Sequence, residues 1–125
     1  MKEIAIVAAG GAFGSALRYL TGLLMLRIMG SAFPWGTLTV NIVGSFAMGL
    51  FIELLARRFG ASNELRLLVA TGVLGGFTTF STFSLDVAVL WERGMATAAF
   101  AYVLASVVGA VCALFAGLWV VRILG

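Results

Sequence analysis

The chain has 125 residues, 62% of them hydrophobic and only 10% charged, where an ordinary water-soluble domain carries about a quarter charged residues. That balance excludes a soluble globular enzyme and indicates a membrane protein, with room for about four helical crossings of roughly 20 residues each. The formal charge of +3 and a pI near 9.8 do not make it a nucleic-acid binder. Its basic residues stand singly or in the pair Arg57-Arg58 between apolar runs, where they read as helix flanks. One cysteine, Cys112, and no histidine exclude an intrachain disulfide framework and the usual zinc and haem ligand sets.

In chain order the charges predict spans at 4–28, 36–56, 65–91 and 95–121, forming one all-α membrane domain over 1–125. The first is interrupted only by Arg18 between Ile4 and Leu26. Its apolar stretch outruns the h-region of a signal peptide and shows no clear cleavage motif, so it reads as a retained helix. The second is free of charge from Gly36 to Ile52 and closes on Glu53, Arg57 and Arg58, after which Ala61-Ser62-Asn63 is expected to form a polar connection. The third is charge-free from Leu67 to Leu85, with Asp86 still inside the apolar stretch that ends at Trp91-Glu92-Arg93. The last runs from Gly94 to Val121. An even number of spans puts both termini and the second connection on one side. That side holds Lys2, Arg57, Arg58, Arg66 and Arg122 against Arg27 and Arg93 on the other, which predicts cytoplasmic termini. Trp35 and Trp91 fall at span ends on one face and Trp119 near the other, at headgroup level.

Small residues recur at helical spacing: Gly10 and Gly14, Gly11 and Ser15, Ser45 and Gly49, Gly72 and Gly76. The fourth span carries an unbroken ridge of Ala101, Ala105, Gly109, Ala113 and Gly117. In lipid, such ridges let helix backbones approach closely. A lone four-helix unit has little interior volume, so a pathway calls for a second subunit, and the fourth-span ridge is expected to form part of that contact.

Polar side chains inside spans are expensive and therefore informative. They are Arg18, Thr37, Thr39, Asn41, Ser45, a dense group from Thr71 to Asp86, Tyr102 and Ser106. Within the dense group, Gly75-Gly76 followed by Thr78-Thr79 is a poor helix interior and predicts a break in the third span. A mid-membrane break frees carbonyls that suit a small cation and amides that suit an anion. Phe77, Phe80 and Phe83 repeat every third residue among Thr79, Ser81 and Thr82, and the positive edge of an aromatic ring contacts an anion without trapping it. Asn41 adds amide donors, and the four-residue spacing of Tyr102 and Ser106 places their hydroxyls on one side of the fourth helix. Donors without a matching set of buried carboxylates argue for anion passage, since the one embedded acid is Asp86 near a span end. Asp86 is expected to pair with Arg18 or another end residue. Arg18 reads either as snorkelling toward the interface or as lining an ion-attracting vestibule.

The segment Gly75-Gly76-Phe77-Thr78-Thr79-Phe80-Ser81-Thr82-Phe83-Ser84 resembles the third-helix motif of the Fluc (CrcB) family of fluoride channels. Trp35 to Asn41 resembles that family's second-helix motif, and Gly11 to Arg18 its first-helix region, so the likeness covers essentially the full length. The resemblance implies a multi-pass protein of the bacterial inner membrane, a dual-topology antiparallel homodimer with two fluoride pathways, and a central structural Na+ that is not transported. On the same ground the sodium ligands are the backbone carbonyls of Gly75 and Thr78. The pathway residues are Asn41, Phe80, Phe83, Ser81, Thr82, Tyr102 and Ser106, with Arg18 at the vestibule. The chain departs from the family at Ala110 and Leu114, where relatives can present hydroxyls, and at Asp86, where they often have Glu.

The expected activity is passive, fluoride-selective conduction, with fluoride, membrane lipid and a second copy of the chain as partners and no nucleic acid. Two rivals belong to other classes: a small proton-coupled multidrug exporter and a noncatalytic membrane assembly subunit. The exporter generally needs a carboxylate within its first helix, and Ile4 to Leu26 has none. No nucleophile and base pair or metal-ligand set points to an enzyme.

Overall fold

The computed structural model describes residues 1–59 and 62–125, and every regular element among them is helical. Helix α1 (Lys2–Met29) ends at Gly30, whose φ of 83° suits a residue without a Cβ and whose N–H still reaches Leu26 O. A short loop leads into α2 (Trp35–Leu54), which runs on into a wider π-helical stretch, Leu55–Phe59. Ser62 then caps α3 (Asn63–Arg66), its Oγ accepting the Leu65 N–H at 3.3 Å. Asn63, expected in the connection, is thus already helical, while Ala61 and the side chain of Arg58 lie outside the described residues.

From α3 the chain passes through π-helical Leu67–Leu74 into α4 (Gly75–Phe77). Thr78 then adopts φ −87° and ψ 160°, an extended conformation, before α5 (Ser81–Glu92) begins. A turn at Gly94, with φ 77°, delivers α6 (Ala96–Leu124). Taken end to end, Lys2–Met29, Trp35–Arg57, Asn63–Glu92 and Ala96–Leu124 are four helices long and apolar enough to cross a membrane.

Helix α2 lies along α6, and α1 lies along Leu67–Leu74. Both seams are made at glycine, because only hydrogen at Cα lets the backbones come this close. A Cβ on Gly10 would sit 2.5 Å from Leu68 O, and one on Gly14 would strike Val73 O. Across the other seam, Gly49 faces Leu114 O and Gly117 faces Phe46 O.

These contacts divide the fourth-span ridge. Residues four apart drift around a 3.6-residue helix. Ala101 and Ala105 are therefore exposed, whereas Gly109 meets the Ile42 side chain and Gly117 is buried on α2. The C-terminal half of the ridge packs within the chain.

Ion pairs gather the expected basic end of the molecule. Lys2 reaches Glu64 at 3.6 Å, while Glu53 takes Arg57 at 2.6 Å and Arg122 at 3.3 Å. The N-terminus, the end of α2, the start of α3 and the C-terminus of α6 therefore share one end of the bundle.

Candidate functional site

The extended residue Thr78 interrupts the i to i−4 ladder, and neighbouring side chains take over the groups this exposes. Asn41, in the middle of α2, grips the Thr79 peptide on both sides. Its Oδ1 accepts the Thr79 N–H at 2.8 Å and its Nδ2 donates to Thr79 O at 3.0 Å. Arg18, from α1, donates through Nε to Gly76 O at 3.0 Å. Thr79 Oγ1 accepts the Thr82 N–H at 3.1 Å, and Thr78 Oγ1 donates to Leu74 O at 3.0 Å. Leu74 O also accepts the Thr78 N–H at 3.0 Å, whereas the bonds to Thr79 N–H, Thr79 O, Gly76 O and Thr82 N–H answer main-chain groups that would otherwise cost about 1–3 kcal/mol each in apolar surroundings.

Beside the interruption lies a cleft of about 330 Å³ lined by Asn41, Ser45, Phe80, Phe83, Ser106 and Ala110, among others. Phe80 and Phe83 stand with ring centroids 5.5 Å apart and planes inclined by 48°. Their environments differ sharply: Phe83 is 8% exposed, and Phe80, on the open side of the cleft, is 77% exposed. Ser106 is 6% exposed, and its Oγ is a buried side-chain polar atom with no hydrogen-bond partner among the described residues. An orphaned hydroxyl in an apolar wall, next to two aromatic rings, is a vacant donor.

Four of the sequence-predicted pathway residues, Asn41, Phe80, Phe83 and Ser106, thus share one cleft. The other three stand apart. Ser81 is exposed, with Oγ 3.4 Å from Thr79 Oγ1. Thr82 lines a second cleft, of about 250 Å³, together with Arg18, Thr37 and Thr79. Tyr102 is fully buried, its ring 5.2 Å from Phe83 and 5.4 Å from Phe33, and its hydroxyl donates to Asp86 Oδ2 at 3.0 Å. That bond corrects the first-named expectation for Asp86. Its partner is the tyrosine of α6, and Arg18 is held a helix away on Gly76 O.

Arg18 is therefore tied to the third span through its Nε. Its guanidinium answers the interrupted backbone at the edge of the second cleft. Ala110 lines the first cleft without a hydroxyl, and Leu114 turns its carbonyl to Gly49. Sequence reasoning did not assign Ser45 or Thr79 to the site. The spacing of four between Asn41 and Ser45 was a usable signal for the former.

Among the described residues no group of three or more His, Cys, Asp or Glu side chains could hold a metal ion. The main-chain oxygens around Thr78 are a different donor set, suited to a hard monovalent cation. Gly75 O and Thr78 O fit such a role, because the amides that would meet them in a continuous helix, those of Thr79 and Thr82, are engaged by Asn41 Oδ1 and Thr79 Oγ1.

Four apolar helices of spanning length around a polar interruption and an aromatic cleft define a multi-pass helical membrane protein. Residues 5–118 match the family described as CrcB-like protein, Camphor Resistance (CrcB), and the chain belongs to that family. It is 63% identical over 122 residues, 98% of each chain, to the protein of Chelativorans sp. (strain BNC1) named fluoride-specific ion channel FluC. Relatives of the same name from Mesorhizobium japonicum and Agrobacterium fabrum are 61% and 59% identical, over 98% and 94% of each chain.

Proposed function

We propose that the chain is a fluoride-specific channel that lets the ion leave the cytoplasm down its electrochemical gradient, and that no residue performs catalysis. Near-full-length identity to proteins named as fluoride channels supports the ion. The observation that carries the mechanism is the unpartnered Ser106 hydroxyl buried beside the Phe80 and Phe83 rings. Fluoride is small and strongly hydrated, so a dry path must replace its water with donors placed in advance. Ser106 has a hydrogen to give, and Asn41 Nδ2 has a second hydrogen beyond the one on Thr79 O. Ring edges of Phe80 and Phe83 supply further positive potential without a fixed charge. Ser81 and Thr82 extend the donor track on either side. Tyr102 acts as its wall, since its hydroxyl hydrogen lies on Asp86.

The 77% exposure of Phe80 in one protomer supports a working homodimer, antiparallel and of dual topology as the resemblance implies, in which a second copy covers the open side of the cleft. The interruption at Thr78 is then the break in the third span. Gly75 O and Thr78 O of each subunit would hold a structural Na+, whose positive charge answers the freed carbonyls and is not transported. Arg18 attracts the anion at the vestibule and braces Gly76.

Purified protein in liposomes loaded with equal fluoride and chloride tests this proposal. Valinomycin-driven efflux is expected for fluoride with chloride retained, unchanged when the proton gradient is collapsed. Equal leakage of both halides, or vesicles sealed to both, would sink it.

A further inference from the structure

We infer that Thr79 is a positioning residue that opens the Thr78 carbonyl to a cation, in concert with Asn41 at the Gly75 carbonyl; this rests on the sodium reading above. A continuous helix sends the Thr79 N–H to Gly75 O and the Thr82 N–H to Thr78 O. Here both amides are captured by side-chain oxygens, Thr79 N–H by Asn41 Oδ1 at 2.8 Å and Thr82 N–H by Thr79 Oγ1 at 3.1 Å. The capture is selective. Of the neighbouring carbonyls, Gly76 O is answered by Arg18 and Thr79 O by Asn41 Nδ2, so the side chains satisfy these two and withdraw the amides from Gly75 and Thr78.

The chemistry favours a hydroxyl at position 79. An amide proton on a carbonyl brings partial positive charge beside the site where a cation would sit and competes for the same oxygen. A threonine Oγ three residues before Thr82 accepts that proton in the manner of a helix N-cap, and the ψ of 160° at Thr78 turns its carbonyl off the helical direction. Thr79 touches neither the cation nor the permeating anion in this role. It works by diverting a competitor.

The test compares full-length wild type, Thr79→Val and Thr79→Ser in detergent, following thermal unfolding while NaCl replaces N-methyl-D-glucamine chloride at constant ionic strength. Wild type is expected to gain stability with sodium. Thr79→Val, isosteric but without the oxygen, should need at least tenfold more sodium for half the gain, and Thr79→Ser should stay within threefold of wild type. If the valine variant does not fold, Thr79→Ala removes the same oxygen in less volume and carries the comparison. A hydroxyl that only stabilises α5 would lower the midpoint equally at every sodium concentration and leave the half-saturating concentration unchanged, which overturns the inference alone. A wild type indifferent to sodium removes the sodium reading itself, and this inference with it.

Discussion

Asn41 and Thr79 are joined by two hydrogen bonds, one from each side of the same amide, so that one α2 side chain replaces two bonds of a helical ladder. Asparagine is well suited to the task, because it places an acceptor and a donor at the spacing of a peptide group.

Replacing Asn41 by Leu keeps the bulk and strands both main-chain groups. Each unpaired group costs about 1–3 kcal/mol, so a loss of about 2–6 kcal/mol in unfolding free energy is expected, together with loss of fluoride efflux. Thermal unfolding in detergent and liposome efflux measure the two effects. A variant of wild-type stability would show that the Thr79 peptide finds other partners.

Ser106→Ala separates function from folding. Removing a buried hydroxyl that has no partner relieves a desolvation cost, so the variant should be as stable as wild type or more stable by up to about 1–3 kcal/mol. Its fluoride efflux should nonetheless fall at least tenfold. A stability loss would mean that the hydroxyl is bonded in the membrane, and unchanged flux would take Ser106 out of the pathway.

The aromatic pair should divide along its exposure. Phe80→Ile, at a ring that packs little within its own chain, is expected to lower the unfolding midpoint less than Phe83→Ala does while cutting efflux at least tenfold. Phe83→Ala opens a void against Tyr102 and should cost about 3–5 kcal/mol by the measure of soluble cores, with flux lost as well. Paired melting and efflux curves decide whether the two rings have these separate duties.

Tyr102→Phe removes the donor from Asp86, and a hydrogen bond to a carboxylate contributes about 1.5–3 kcal/mol. Asp86→Asn retains an acceptor oxygen and should cost less. Equal losses in the two variants would show that the pair is held by something other than this bond.

The glycine seams supply a control within one helix. Gly14→Ala drives a methyl into Val73 O and should destabilise by about 1–3 kcal/mol or more, whereas Gly22→Ala meets nothing within 4 Å and should be tolerated. Folded yield and thermal midpoint are the readouts.

The charge-free runs made the four helices and their ends legible, and glycine beside threonine marked the irregular stretch in the third. Composition and spacing report what a segment is, and much less what it meets. Nothing periodic ties Asp86 to Tyr102, which come from two helices joined by the Gly94 turn. Arg18 admits two readings from sequence, and its hydrogen bond depends on a Gly76 carbonyl 58 residues downstream, beside the extended Thr78. The four-residue ridge on α6 divides for a geometric reason, since small residues at that spacing wind around the helix, and Gly109 and Gly117 meet α2 while Ala101 and Ala105 stay exposed.

The partnering of α1 with Leu67–Leu74 and of α2 with α6 interleaves the molecule, each helix finding its main companion two crossings along rather than next door. During synthesis, then, the main seam of α2 can close only once the last crossing has emerged. A polypeptide cut short before α6 would leave Gly49 facing lipid, and quality-control proteases would meet an orphan rather than a stable fragment.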